Sequence, residues 1–232
     1  GITHTAGNNT IAGSFVASAL SLTDCPTCGL DLGQTTRYYG VSSTLDFGAQ
    51  SIALNNLILG NGVTLTLGAG RSGAISVGSV SGIDTGNSGT NLNCPANLVI
   101  NTTGTFGLTR TISTNIGSVT ITNSGGATFG GAVSVGTEVL LSNTTGSIVF
   151  NGALTTPTLT TASRPYNLAL NGTSGAITNA FTSLNTGTLR LGSSGGTLNF
   201  NSGLTASAAA ISSRLVATIR ARMSLMRTAS CN

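Results

Sequence analysis

A phrase of about 21 residues recurs through the second half of the chain and limits the folds it can adopt. Each copy has an alternating apolar segment, a corner of Asn or Gly with Ser or Thr, and a second short segment that carries Phe. One copy is too small to bury its own apolar residues, so successive copies must stack and share one core. The copies are LVINTTGTFGL (98–108), VTITNSGGATFGGAV (119–133), VLLSNTTGSIVFNGAL (139–154), LALNGTSGAITNAFT (168–182) and LRLGSSGGTLNFNSGL (189–204).

Stacked copies of this kind predict an all-β parallel β-solenoid with coils of about 21 residues. The alternative is an antiparallel β-sandwich, which the alternating segments also allow. Thr, Val and Ile favour pleated strands because their branched side chains are stiff, and Gly and Asn tolerate the tight corners. Disorder is not expected, since the chain has neither low hydrophobicity nor high net charge.

A glycine closes the corner of each copy and sets the period. These glycines are Gly104, Gly126, Gly146, Gly175 and Gly196. Three of the four intervals between them agree on about 21 residues, and the third interval is longer. The long interval predicts an insertion at TTPTLTTASRPYN (155–167). Pro157 and Pro165 should lie in loops or at an edge, because proline lacks the N–H that a central ladder needs.

The phenylalanine of each copy is expected to point inward, so that the rings stack inside the solenoid. Inward positions alternate with outward Thr, Ser and Asn at a period of two. Corner asparagines can stack into ladders. The predicted stack consists of Phe106, Phe129, Phe150, Phe181 and Phe200.

The chain divides into three parts by regularity. Residues 1–45 are the least regular, contain a CPTC motif, and are predicted to be an N-terminal cap, since terminal repeats are usually atypical. Residues 46–204 are the solenoid repeats. Residues 205–232 form an Arg-containing tail whose apolar residues have helical spacing, although IRARMSL (219–225) also alternates as a strand.

The tail is expected either to cover the last coil or to contact another subunit. A solenoid ends in strands with unpaired backbone groups, which invite another chain. The contact residues would be Leu215, Ile219, Met223 and Leu225. The predicted partner is therefore the chain itself, in a head-to-tail oligomer or filament.

Composition excludes several classes of partner. Only 6% of the residues are charged, there is no Lys, and the net charge is +4. Four arginines lie near the C-terminus and the others are scattered singly, which does not predict a nucleic-acid surface. No stretch approaches the roughly 18 consecutive apolar residues of a membrane helix, so membrane insertion is not predicted.

The four cysteines, Cys25, Cys28, Cys94 and Cys231, are expected to form disulfides in an oxidising compartment, which indicates a secreted or cell-surface protein. Cys231 could instead pair with another subunit. A zinc site would need a second pair of ligands near Cys25 and Cys28, and only Cys94, Cys231 and His4 are available at irregular spacing. We therefore predict no metal and no cofactor.

Acidic residues are too few to indicate catalysis by paired carboxylates, and we predict no enzyme activity. A carbohydrate-active β-helix enzyme remains an alternative and would need acids clustered on one face of the coil. An ice-binding solenoid would need a regular TxT array, whereas TLT, TIT and TLTT recur here at irregular intervals. The acids are Asp24, Asp31, Asp46, Asp84 and Glu138.

Residues 98–204 resemble the repeat region of very large bacterial secreted proteins of the filamentous-haemagglutinin and autotransporter-adhesin type. The most similar phrases are SIVFNGALTTPTLTTASRPYNLALNG (147–172) and AITNAFTSLNTGTLRLG (176–192). The resemblance implies a right-handed parallel β-helix, export to the cell surface, and an adhesive or matrix-building role. Surface glycans are a further predicted class of partner. It brings no catalytic residues. The chain differs from that family in being short and in having four cysteines.

Overall fold

The computed structural model describes residues 9–10, 15–17, 30–31, 36–46, 48–83, 94–113, 115–192, 196–206, 210–213 and 218–223. The regular structure of these residues is β-strand, and the pairings between their strands are parallel. In this part of the chain no helix has the length and apolarity needed to span a membrane. The predicted β-solenoid is confirmed, and the antiparallel sandwich is wrong.

The first eight strands precede residues 84–93, which lie outside the described residues. Several are only two to four residues long, as expected where the chain turns a corner after each strand. They are β1 (Asn9–Thr10), β2 (Phe15–Ala17), β3 (Leu30–Asp31), β4 (Thr36–Tyr39), β5 (Ser43–Leu45), β6 (Ile52–Leu59), β7 (Thr64–Arg71) and β8 (Ile75–Gly82).

The remaining strands carry the repeated phrase and the tail. They are β9 (Ala96–Thr102), β10 (Thr105–Leu108), β11 (Ile112–Ser113), β12 (Ile116–Asn123), β13 (Gly126–Phe129), β14 (Val133–Ser134), β15 (Glu138–Leu141), β16 (Ser147–Phe150), β17 (Leu154–Thr156), β18 (Thr158–Thr161), β19 (Asn167–Leu170), β20 (Ser174–Ile177), β21 (Phe181–Ser183), β22 (Thr188–Leu191), β23 (Thr197–Ala206), β24 (Ala210–Ser213) and β25 (Thr218–Met223).

Each coil contributes strands to three faces. Face 1 contains β5, β7, β9, β12, β15 and β18 as one ladder, and β21 follows them through Leu184 N–H, which donates to Thr161 Oγ1 over 2.8 Å. Face 2 runs through β1, β3, the first half of β6 and of β8, β10, β13, β16, β19, β22 and β24. Face 3 runs through β2, β4, the second halves of β6 and β8, β11, β14, β17, β20 and the first parts of β23 and β25. The end of β23 pairs with β21 and belongs to face 1.

The ladder register gives the coil length directly. On face 3, Ile112 pairs with Val133, Val133 with Leu154, and Leu154 with Gly175, in equal steps that match the predicted coil length. One coil is about half as long again, because Val80 pairs with Ile112. The extra residues fall between β8 and β9.

The predicted insertion at residues 155–167 is therefore wrong. This segment supplies β18 and the end of β17 to a coil of ordinary length. Gly146 precedes β16 on face 2, whereas Gly175 lies in β20 on face 3, so the long glycine interval joins two different faces. Pro157 and Pro165 do lie outside the strands, in the connections on either side of β18.

Alternation along each strand separates the core from the surface. In β9, residues 96, 98, 100 and 102 are buried and those between them are half-buried, and the other faces show the same period of two. The buried residues of all three faces form one continuous hydrophobic cluster along the axis. Since no single coil encloses this cluster, the fold depends on stacking.

The five repeat phenylalanines are all buried, but their rings form two groups instead of one stack. Phe129 and Phe150 are register partners with parallel rings 4.5 Å apart, and Phe106 tilts against Phe129 at 5.5 Å. Phe181 on face 1 and Phe200 on face 3 stack separately at 6.0 Å. Leu170 pairs with Phe150 and ends the first group.

Close coil spacing leaves no room for side chains at some corners. A Cβ added to Gly131 would lie 1.7 Å from the carbonyl oxygen of Arg110 in the preceding coil. Gly107 is the opposite case, because nothing lies within 4 Å of an added Cβ.

The terminal parts continue the same ladders. Strands β1 to β4, in the region expected to be an N-terminal cap, pair in parallel with one another or with β6. The tail supplies β24 and β25, which pair with β22 and β23. The periodicity of the tail is compatible with a helix or a strand, and residues 210–213 and 218–223 form strands.

Replacing Phe150 by Ala should lower the free energy of unfolding by about 3–5 kcal/mol, because it removes a fully buried ring from the Phe106–Phe129–Phe150 group. Denaturant titration followed by circular dichroism measures the loss. Val149→Ala is the matched control, since Val149 is the outward, half-buried neighbour in the same strand and should lose much less. A loss below about 1 kcal/mol for Phe150→Ala would contradict the stacked interior.

Replacing Gly131 by Ala should cost about 1–3 kcal/mol, because the new methyl group overlaps backbone that cannot move without breaking the ladder. Gly107→Ala should change the stability by less than about 0.5 kcal/mol. The same denaturant titration compares the two. Equal stability of both variants would show that the coils are not this closely stacked at Gly131.

Candidate functional site

The outer surface of the solenoid is the place to look for a binding site, because the apolar cluster occupies the interior. On face 1 most outward side chains are half-buried, whereas Thr44 is exposed, and together they form two columns along the axis. The segments TLT (64–66), TIT (120–122) and TLTT (158–161) all lie on this face.

The threonine column on face 1 begins with Thr44, which pairs with Thr66, and from there an apolar residue interrupts it in every second coil. Thr66 pairs with Val99, and Val99 pairs with Thr120. Thr120 in turn pairs with Leu140, which pairs with Thr160. This alternation does not provide the regular TxT array on which the ice-binding hypothesis depended.

Two carboxylates have described side chains, and each has a local hydrogen bond. Glu138 is half-buried on face 1, and its Oε1 accepts a hydrogen bond from Thr160 Oγ1 over 2.5 Å. Asp46 Oδ1 accepts one from the backbone N–H of Gly48 over 2.9 Å. Asp31 belongs to β3, and Asp24 and Asp84 lie outside the described residues.

The described part of the chain contains no candidate metal centre. No group of three or more His, Cys, Asp or Glu side chains that could hold a metal ion occurs among the described residues. Cys94 is exposed and forms no disulfide with another described residue. His4, Cys25, Cys28 and Cys231 lie outside the described residues, so the predicted disulfides involving these cysteines stay predictions.

Two of the four residues expected at a subunit contact belong to the last described strand. Ile219 and Met223 belong to β25, where they are register partners of Leu198 and Leu204. Leu215 and Leu225 lie outside the described residues. The backbone therefore places two of the four predicted contact positions in the final coil.

A charged side chain lies inside the first coils, which the sequence pattern did not reveal. Arg37 is fully buried, and its register partner on β6 is the buried Leu57. Burial raises the pKa of the nearby Tyr39 to about 12, against a smaller opposing effect of the Arg37 charge. In the alternation TRYY (36–39), Arg37 and Tyr39 occupy the inward positions, but the four residues alone do not indicate which side faces the core.

Hydroxyl groups line the inner side of the corner between faces 1 and 2. Thr102 Oγ1 donates a hydrogen bond to the carbonyl oxygen of Gly73 over 2.6 Å. Ser124 Oγ donates to Thr144 Oγ1 over 2.8 Å in the next coil. These buried hydroxyls satisfy polar groups where the chain leaves the regular ladder.

The recurring triplets NTT (101–103), NSG (123–125) and NTT (143–145) are the sequence signal for this corner. The asparagine of each triplet faces outward, as in the predicted ladder, and Asn143 Nδ2 donates to Asn123 Oδ1 over 3.1 Å. The second residue of each triplet is the buried hydroxyl.

Tyr166 fills the same corner one coil beyond Thr144. Its hydroxyl donates to the carbonyl oxygen of Leu141 over 3.2 Å. Burial raises the pKa of Tyr166 to about 12, although interactions with the Ala162 backbone and the Thr161 side chain oppose the increase. The neutral phenol is therefore the form that the folded chain favours.

Comparison with known proteins found no match: no family model fits the chain, and neither a curated protein nor a solved structure is similar to it. The β-solenoid architecture therefore rests on the strand pairings described above.

The folded chain should lose stability as the pH rises from about 10 towards 12. Tyr39 and Tyr166 have a pKa of about 12 in the folded state and an ordinary value of 10.0 when unfolded. Above pH 10 the unfolded chain releases these protons first, so the free energy of unfolding falls with pH. Denaturant titrations at several pH values measure the slope.

Tyr166→Phe is the control for the alkaline effect, because it removes one titrating phenol and keeps the ring. The variant should show a shallower fall of stability between pH 10 and 12 than the unaltered chain. An identical slope in both proteins would mean that Tyr166 ionises in the folded state as easily as in the unfolded one.

Proposed function

We propose that this chain is a non-catalytic structural protein of a cell surface or extracellular matrix, and that its copies associate end to end into a filament. The strongest support for this proposal comes from the strands at the two ends of the ladders. Among the described residues, β24 and β25 each pair with a strand on one side only, and so do β1 and β2. Strand edges of this kind readily pair with another chain.

A parallel solenoid restricts how two edges can meet. The last coil of one copy presents β24 on face 2 and β25 on face 3 in the same strand direction as β1 and β2 in the first coil of the next. A contact between them is head-to-tail and uses two different surfaces of the same molecule. Such a contact extends into an open filament unless the geometry closes a ring.

The outer surface is consistent with a structural role. Small Ser, Thr, Asn, Gly and Ala side chains occupy most outward positions, as in the face 2 column of Ala53, Ser76, Gly107 and Thr128. Repulsion between copies is weak, because the chain of 232 residues has a net charge of only +4.

Adhesion is the second part of this proposal. The faces are nearly uncharged and carry outward hydroxyl and amide groups that can hydrogen-bond to sugar hydroxyls. Surface glycans are the partner class that this chemistry favours. The resemblance of residues 98–204 to secreted adhesin repeats supports the same location and role.

Sedimentation velocity of the full chain at increasing concentration, with negative-stain electron microscopy, tests the assembly. We expect species larger than the monomer that lengthen with concentration into unbranched rods. Arg220→Pro should shorten them, because proline removes a backbone donor from β25, whereas Arg220→Lys, which keeps both the donor and the charge, should not. A chain that stays monomeric at the highest attainable concentration would contradict the proposal.

A further inference from the structure

We infer that the joint between two copies continues the ladders of the solenoid without a change of register, so that Ser212 of one copy lies opposite Thr10 of the next. This inference rests on the proposed end-to-end assembly and specifies its partner, a second copy of the chain, and the pairing at the joint.

Face 2 supplies the first part of the argument. Its outward column begins with Thr10, which pairs with Asp31, and continues through Ala53, Ser76 and Gly107. From Gly107 the column runs without a shift through Thr128, Val149, Ala169 and Arg190 to Ser212. The next position of this column beyond Ser212 is therefore that of Thr10 in a following copy.

Face 3 gives the same register independently. Its column begins with Phe15, which pairs with Arg37, and passes through Leu57, Val80 and Ile112. It ends with Ile219, the partner of Leu198. If this column continues into the next copy, Ile219 lies opposite Phe15 of that copy. Both residues are apolar, as are most residues of the column.

Both faces specify the same displacement between copies. On face 2 the pairing of Ile211 with Asn9 follows from the column that contains Leu189 and Leu30. The separation along the sequence between residues 9 and 211 is nearly the same as that between residues 15 and 219. This agreement is required if one coil of one copy stacks on one coil of the next.

Charge complementarity identifies the occupant of the edge as a second copy. Residues 1–35 contain Asp24 and Asp31 and no arginine or lysine. Residues 205–232 contain four arginines and no acid, with Arg220 and Arg222 in β25 itself. The two ends of the chain thus carry opposite charges, which favours head-to-tail contact over head-to-head or tail-to-tail contact.

The experiment is site-directed disulfide trapping between two full-length variants. One preparation carries Thr10→Cys and the other Ser212→Cys, and the two are mixed under mild oxidation after reduction. Adjacent strands lie about 4.8 Å apart, within the Cα separation of roughly 4.4–6.8 Å that a disulfide accepts. Mass spectrometry of the digested product identifies the linked peptides, so the four natural cysteines can stay in place.

Arg190→Cys is the matched control for Ser212→Cys. Arg190 occupies the same column of face 2 and is the register partner of Ser212, one coil further from the joint. Its Cα would lie about 9.6 Å from that of Thr10, beyond the reach of a disulfide. We expect the Thr10–Ser212 link to exceed the Thr10–Arg190 link by at least about tenfold in yield, and to decrease as salt weakens the contact.

Assembly in sedimentation without the Thr10–Ser212 link, or with equal yields in both mixtures, would overturn the inferred register and leave the proposed filament intact. Monomers in sedimentation together with no link would overturn both. A dominant link between two Ser212→Cys chains would show tail-to-tail contact and would also overturn the inference.

Discussion

The backbone hydrogen bond between parallel strands of successive coils is the interaction on which the rest of the structure depends. Each coil has no core of its own, so its apolar residues are buried only when the ladder holds the next coil about 4.8 Å away. The spacing explains the aromatic group at Phe129 and Phe150, whose rings are 4.5 Å apart, and the glycine at position 131, where a methyl group would meet backbone. It also makes the two ends of the molecule different from its middle.

The ladders are interrupted at the corners, and one corner contains a column of buried hydroxyl groups. Thr102, Ser124 and Thr144 follow one another at the corner between faces 1 and 2, and Tyr166 takes over in the next coil. Since an unsatisfied buried carbonyl is costly, a hydroxyl at this position stabilises the turn. The repeated Asn-Thr and Asn-Ser pairs of the sequence thus have two roles, with the amide outside and the hydroxyl inside.

The sequence revealed the period, the strands and the inward phenylalanines, because these depend on local alternation and on recurrence. It did not reveal which face a segment joins. Gly146 and Gly175 look equivalent along the sequence but belong to different faces, so their spacing wrongly predicts an insertion at 155–167. The extra residues are instead those between β8 and β9. Local pattern could not decide between helix and strand for the tail either, because residues 218–223 take their structure from pairing with β23. Arg37 was hidden for a related reason, since a single charged residue in an alternating segment gives no indication of which side is inward.

The central claim, that successive coils stack in register, is tested most directly by distances between spin labels along one column. A label at Ala53, exposed on face 2, is paired in turn with labels at Thr128, Val149 and Ala169, which lie three, four and five coils away in the same column. Pulsed and continuous-wave electron paramagnetic resonance should give separations that increase by about 4.8 Å per coil, near 14, 19 and 24 Å between the labelled backbone positions. Separations that do not increase in this order, or that bring Ala169 as close to Ala53 as Thr128, would contradict the stacked parallel solenoid.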